Sequence, residues 1–450
     1  CAPVWPGAGD AKAAWDEALG VVHVEGENDK LKQIFYTALY RAQLDPRNTA
    51  DADGQYRGPD RQVYRTSDYR FRTVFSGWDA FRSAMPLLSV IRPDVLNDII
   101  NTLIQIALTS SSTFPRWELM GVETGCMVGD PGVVVVTDAY RKGIRNYDAA
   151  AAYEICKKTA FSETSNRQAR EEMNALGYAP GLISVTLENV FADWCIYQFA
   201  KMMGDEETAS VFRERAFNYK KIFDPEAGWM RRKDADGNWM EFGGKYDGRG
   251  CVESNIYQQT WFVPHDVHGL MELMGKERFI SELEQFFERA DFKQLWNDDY
   301  NHSNEPVHHV PHLFCYAGMP WRTQYWVRRV QLEAYNTGPF GYCGNEDVGQ
   351  MSAWYVLAAI GLHPVCPGDA RYELTSPLFS EITITLPKGY ATGKTFKIIA
   401  KNNSPENLYI QSAKLDGEPY TKTWITHADL MKGGTLELVM GPKPNKDWVE

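Results

Sequence analysis

Three stretches of the chain set a carboxylate among amides and aromatic rings. Gly344-Asn345-Glu346-Asp347-Val348-Gly349-Gln350 leads into a helical pattern holding Trp354 and Tyr355. Gly250-Cys251-Val252-Glu253-Ser254-Asn255 precedes Tyr257 and Trp261, and Ser76-Gly77-Trp78-Asp79 opens an earlier helical pattern. A carboxylate at a helix N-terminus is held ionised by the helix dipole and by free backbone N–H groups. That suits Asp347 as a base and Asp79 as an acceptor from sugar hydroxyls. For one isolated Asp, an ordinary N-cap is the commoner meaning. Convergence shifts the balance, because several loops each combine an acid with Trp, Tyr, Asn or Gln. Flat rings stack on sugar C–H faces, and amides and carboxylates bind hydroxyls. Glycoside hydrolysis needs two carboxyl groups flanking the anomeric carbon, one protonated and one ionised. Glu253 and Asp347 are the candidates.

Six of the nine histidines fall between positions 265 and 312, most densely in His302-Ser303-Asn304-Glu305-Pro306-Val307-His308-His309-Val310-Pro311-His312. A zinc site is one reading, with His308 and His312 four residues apart, but no HExxH places two histidines and a base on one helix face. Core or cleft histidines bonded to their neighbours are the commoner outcome. The oxygens of Asn304, Glu305, Asn345, Glu346 and Asp347 better suit a hard cation such as Ca2+.

The elements that must position these residues fall into two parts. From about 27 to 365 the apolar period is helical. A stripe at 95, 96, 99, 100, 103, 104, 107 and 108 predicts a helix with Asp94 as its N-cap, and 182–203 predicts another long one. Further helices are predicted at 30–44, 78–90, 132–143, 206–222, 279–290, 307–316, 321–333 and 347–360. About a dozen candidates, counting weaker ones, suggest helical hairpins closed into an (α/α)6 barrel. From 366 to 450 the period is two, as in Glu381-Ile382-Thr383-Ile384-Thr385, with turn signals such as Asp416-Gly417 and Gly433-Gly434. That predicts a sandwich-like antiparallel β-domain of about five short strands. Residues 1–26 read as a linker helix region.

The chain has 450 residues, 44% of them hydrophobic and 13% aromatic, with a formal net charge of -12. Such a composition excludes a disordered or collagen-like chain. The acidic balance, without a basic run, argues against a nucleic-acid partner. No apolar run is long enough for a membrane span. The eight cysteines are scattered with no CxxC pair, so most are expected to be buried thiols, with a bridge or two open to an exported protein.

The motifs resemble the calcium-dependent α-mannosidases of glycoside hydrolase family 92 over almost the whole chain. They include Ser76-Gly77-Trp78-Asp79-Ala80-Phe81-Arg82, Trp117-Glu118-Leu119-Met120-Gly121-Val122-Glu123-Thr124-Gly125, Glu253-Ser254-Asn255-Ile256-Tyr257-Gln258-Gln259-Thr260-Trp261, Asn304-Glu305-Pro306-Val307-His308-His309 and Gly344–Tyr355. In the β-region, Asn402-Asn403-Ser404-Pro405-Glu406-Asn407 continues the series. The resemblance implies an exo-acting enzyme that removes terminal α-mannose with inversion. It implies a calcium ion that contacts the mannose hydroxyls at O2 and O3 and helps distort the ring. Glu253 matches the general acid and Asp347 the general base. Trp78 and Asp79 match the terminal-mannose pocket, and Glu305 lies near the metal and the neighbouring sugar. Trp117, Asn255 and His308 are further expected substrate contacts. Asn304, Glu305 and Asp347 are the expected calcium ligands.

The chain departs from the family pattern twice. Many members carry Asp-Glu-Asp where this one has Asn345-Glu346-Asp347, which leaves Asp347 as the strong base candidate. Members also carry an N-terminal β-sandwich domain whose loops help shape the site, whereas this sequence begins near the linker helix. The implied substrate is an α-mannose-containing oligosaccharide, and the implied location is periplasmic or secreted in a bacterium. No leader is present, and Cys1 could be the lipid-bearing first residue of a mature lipoprotein. A non-catalytic mannan-binding protein and a zinc hydrolase built on the histidines are the alternative readings.

Overall fold

The computed structural model describes residues 8–110 and 112–449. Cys1, the expected lipid-bearing residue, lies outside them. The molecule is mainly helical, with a β-region near its C-terminal end. One continuous apolar core runs through both parts, from Phe35 and Trp261 to Ile398 and Leu438.

The helices follow the apolar stripes. Asp29–Arg41 is capped by Asn28, whose side chain accepts from Leu31 N, and it buries Ile34, Phe35, Ala38 and Leu39. Ile183–Met203 and Gln350–Ile360 are buried on nearly every face, which explains their apolar runs. Each stops at a left-handed glycine, Gly204 (φ 75°) and Gly361 (φ 92°), a conformation that costs glycine little.

Several boundaries differ from expectation. The 78–90 stretch is two helices, Gly77–Ala80 and Ala84–Ile91. Pro93–Thr109 takes Pro93 at its first turn, which moves the cap to Arg92 and leaves Asp94 inside the helix. The 307–316 stretch is two short 3-10 turns, Glu305–Val307 and Val310–His312, followed by Leu313–Tyr316, because Pro306 and Pro311 interrupt it. The helix predicted at 347–360 begins at Gln350.

The β-region is not purely antiparallel. Its six-stranded sheet recruits Val22–Glu25, from the stretch read as linker, against Glu381–Thr385, with Val22 opposite Ile384. Glu381–Thr385 pairs antiparallel with Thr395–Lys401, which then pairs parallel with Gly434–Gly441, placing Ile398 opposite Leu436. Gly434–Gly441 also pairs antiparallel with Tyr409–Leu415. A parallel pair needs a crossover, supplied here by the path that includes helix His427–Lys432. Period-two alternation carries no information about strand direction, so the sequence pattern was silent on this point. Leu362–His363, Arg371–Leu374 and Trp424–Thr426 form a separate small sheet.

Helix Pro320–Glu333 fastens the sheet to the helices through Arg328. Its buried guanidinium donates to Ser376 Oγ at 2.7 Å, Pro377 O at 2.6 Å and Asn403 Oδ1 at 3.0 Å. All seven described cysteines are free thiols.

Candidate active site

Three carboxylates from distant parts of the chain converge. Asp79, Glu305 and Asp347 each offer an oxygen within 4.8 Å of the others. Asp79 sits in the one-turn helix Gly77–Ala80 and accepts from Ser76 Oγ. Its Oδ1 is buried without a hydrogen-bond partner, as is Oε1 of Glu305. An unpartnered buried carboxylate oxygen is costly. Two of them aimed at a third acid make a donor set suited to a hard divalent cation. The charges also work on one another. Burial and the neighbouring Asp347 push the Asp79 carboxyl up to about 8. Burial, then Asp79 and Asp347, hold Glu305 well above the ordinary carboxylate range.

Asp347 is not at a helix N-terminus as expected. It stands three residues before Gln350, in an arch where Asp347 (φ 46°), Val348 (φ 57°) and Gly349 (φ 89°) are all left-handed. A β-branched residue there is an outlier, and such strain is held only where surroundings over-determine it. The holding contacts come from both ends. Glu346 accepts from Ser352 N at 3.0 Å and from Ser352 Oγ at 2.8 Å. Gln350 N donates to Asp347 O, and Met351 N to Glu346 O.

Glu253 shares the strained backbone, with φ 49°. The Glu253 side chain is exposed at the site, and its carboxyl is raised first by partial desolvation and then by the negative charge of Asp347. Glu253 therefore lies within electrostatic reach of Asp347. Asn304 secures this loop by donating from Nδ2 to Glu253 O at 2.7 Å.

The remaining expected residues take other parts. Asn304 donates its Nδ2 to Glu253 O, and Asp79 joins Glu305 and Asp347 in the carboxylate cluster. Asn255 caps helix Ile256–Thr260 in a reciprocal box with Gln258 and donates to Asp298 O at 2.8 Å, so its amide is committed. His308 is fully buried, with Nε2 on His302 O at 3.0 Å and Nδ1 on Gln350 Nε2 at 3.0 Å. Both ring nitrogens of His308 are therefore taken. Trp78 is buried, its indole donating to Glu188 Oε1 at 3.0 Å, while Arg82 donates to the same oxygen at 2.8 Å. Trp117 pairs with Ser76 across a short ladder, beside the turn that presents Asp79, and keeps partial exposure.

Sequence reasoning missed Glu188 and Gln350 as supports of this site. Only their polar character within strongly apolar helices could have marked them. Within the histidine cluster, His312 is buried with neither ring nitrogen bonded to a described residue, and the others pair locally. His302, His308 and His309 each bond a neighbour, and the one close group of metal-capable side chains among the described residues contains no histidine. Burial lowers His308 to about 3 and His309 to about 4, so both stay neutral.

With this geometry in place, the comparisons are direct. Residues 8–442 match the model of the glycosyl hydrolase family 92 catalytic domain. The chain belongs to that family. It is 35% identical to the GH92 α-mannosidase BT3965 of Bacteroides thetaiotaomicron, superposing with a TM-score of 0.92 over 98% of this chain and 59% of the other. That relative has also been solved in complex with mannoimidazole. A second protein of the same organism, the GH92 inverting mannosidase BT2199, is 35% identical at a TM-score of 0.89, covering 98% of this chain and 63% of its own. A fungal relative from Arthroderma benhamiae, described as an uncharacterized secreted glycosidase, is 27% identical over 98% of this chain and 57% of its own. The chain thus spans about three-fifths of the length of these relatives.

Proposed function

We propose that the protein is an exo-acting α-mannosidase that hydrolyses terminal α-mannosides with inversion, assisted by Ca2+. The observation that carries this reading is that Glu253 and Asp347 lie close enough for the charge of one to act on the other. Both stand on left-handed backbone, and the negative charge of Asp347 helps keep a proton on Glu253.

The roles follow from that proximity. Glu253, whose hold on its proton is strengthened by partial desolvation and by Asp347, delivers that proton to the glycosidic oxygen as the bond to the anomeric carbon breaks. Asp347 takes a proton from a water that attacks the opposite face of that carbon. Protons balance, since one leaves Glu253 with the leaving alcohol and one arrives on Asp347. Attack from the opposite face inverts the centre, so an α-mannoside gives β-mannose first. Asp79, Glu305 and Asp347 would hold the calcium ion, which supplies positive charge and coordination for sugar hydroxyls. Trp78 positions Asp79 through the bond from its indole to Glu188.

The helices of residues 27–365 fit an (α/α)6 barrel, and residues 366–450 a β-domain to which Val22–Glu25 adds a strand. A secreted or periplasmic location agrees with the secreted fungal relative. Among the described residues no helix is long and apolar enough to cross a membrane. The test is proton NMR of the first mannose released from an α-mannobiose. The β-anomer is expected first from the parent, and Glu253→Gln should release about 10²–10⁴-fold less. First-formed α-mannose, or equal rates for the two proteins, would refute the reading.

A further inference from the structure

The three acids of the cluster reach the site on three separate elements, and one buried residue touches the support of each, one through its backbone and two through its side chain. Gln350 is the first residue of helix Gln350–Ile360 and is fully buried. Its own N–H donates to Asp347 O at 3.2 Å, which ties it to the strained arch. Its Oε1 accepts from Ser83 N at 2.8 Å and from Ala84 N at 3.0 Å. Those two N–H groups open helix Ala84–Ile91, directly after the turn that carries Asp79. The side chain of Ser83 supplies no cap there, so the Gln350 amide does this work from across the core. Its Nε2 faces His308 Nδ1 at 3.0 Å. His308 follows Glu305–Val307 and donates from Nε2 back to His302 O, which leaves Nδ1 as the acceptor.

We propose that Gln350 is the positioning residue that sets the spacing of Asp79, Glu305 and Asp347 for a divalent cation. The inference rests on the reading of that cluster as the calcium site and adds the part that holds it in register. The geometry gives each arm a separate job. The backbone arm holds the arch, the Oε1 arm holds the Asp79 turn, and the Nε2 arm holds the Glu305 turn. Both lone pairs of the amide oxygen are committed, so the group has little freedom to drift. Residues that orient metal ligands from behind change affinity by roughly 10–100-fold when replaced.

The test is calcium affinity by titration calorimetry, with circular dichroism and the urea midpoint of the calcium-free protein as controls for folding. Gln350→Glu keeps the oxygen that caps Ser83 and Ala84 and loses the donor to His308. His308→Gln keeps a donor toward His302 O but withdraws the acceptor near Gln350, and His308→Asn restores an acceptor where Nδ1 stood. The expected result is Kd raised about 10–100-fold in Gln350→Glu and in His308→Gln, with His308→Asn returning most of the affinity. A purely structural role would lower the urea midpoint and leave Kd unchanged in the folded fraction, and that result would overturn the inference. If Gln350→Glu does not fold, the two His308 variants decide, since equal affinities in both refute the Nε2 arm. A parent protein that binds no calcium would remove the calcium reading itself, which separates the two failures.

Discussion

Two buried acidic clusters lie among the same helices, and only one is neutralised. In the first, Arg167 reaches Asp130 at 3.1 Å and also bonds Asp193, while Arg215 meets the other oxygen of Asp193 at 2.8 Å. In the second, Asp79, Glu305 and Asp347 crowd together, and the nearby Arg82 spends its ion pair on Glu188. Burying a charge unpaired is expensive, and a fold under no other demand pairs it, as at Asp193. The unpaired cluster therefore marks carboxyl groups kept free of protein cations, ready to exchange their protons for a cationic ligand. The backbone repeats the contrast. Asp347 and Glu253 stand on left-handed backbone, whereas Asp130, Asp193 and Arg167 have no such strain.

The comparison can be broken by variants, taken from the largest expected effect downward. Asp347→Asn and Glu253→Gln should each lower kcat on an unactivated α-mannobiose by about 10²–10⁴-fold. Glu253→Gln should spare much of the rate on an aryl α-mannoside, whose leaving group needs little acid help, and Asp347→Asn should not. Equal losses on both substrates would undo the assignment of acid and base. Next, Arg167→Met should cost about 3–5 kcal/mol in urea unfolding, because it leaves buried Asp130 without its cation and Asp193 with Arg215 alone.

Asp79→Asn should act with the opposite sign. It removes an acid that has no cation partner, so the calcium-free protein should keep or gain thermal midpoint while the gain on adding calcium shrinks. A destabilisation as large as that of Arg167→Met would contradict the contrast. The smallest effect is in pH. Asp79 is raised to about 8 when folded, so the folded state holds its proton more tightly than the unfolded one. Stability of the calcium-free protein should therefore fall as pH rises from about 4 to about 8, then level. Asp369, at about 7, and Glu373, at about 8, add to the same slope. What belongs to the site is the part that saturating calcium removes, and a slope indifferent to calcium would speak against it.

Much of this was legible in the sequence, for reasons that also explain the gaps. Long stripes such as those of Pro93–Thr109 and Ile183–Met203 announce themselves, because burial on a helix imposes its period. The loops that carry Glu253, Glu305 and Asp347 were visible as acids beside amides and rings. Their assembly was not, since Asp79 joins Glu305 and Asp347 only through tertiary packing. Asp347 was misplaced onto a helix because a left-handed Val348 is not a conformation that local propensity suggests. Asn255 and His308 were read as sugar contacts from their chemistry alone. Their tertiary partners lie beyond that reach, since Asn255 also caps a helix and His308 is buried against Gln350.

The central claim is a calcium-dependent release of terminal α-mannose from this site. The most direct measurement is free mannose liberated from a panel of linkage-defined α-mannobioses, with calcium, with a chelator, and with calcium restored. The account predicts release from at least one linkage, loss on chelation and recovery on adding calcium. Release that ignores the chelator, or no release from any linkage with calcium present, would contradict it.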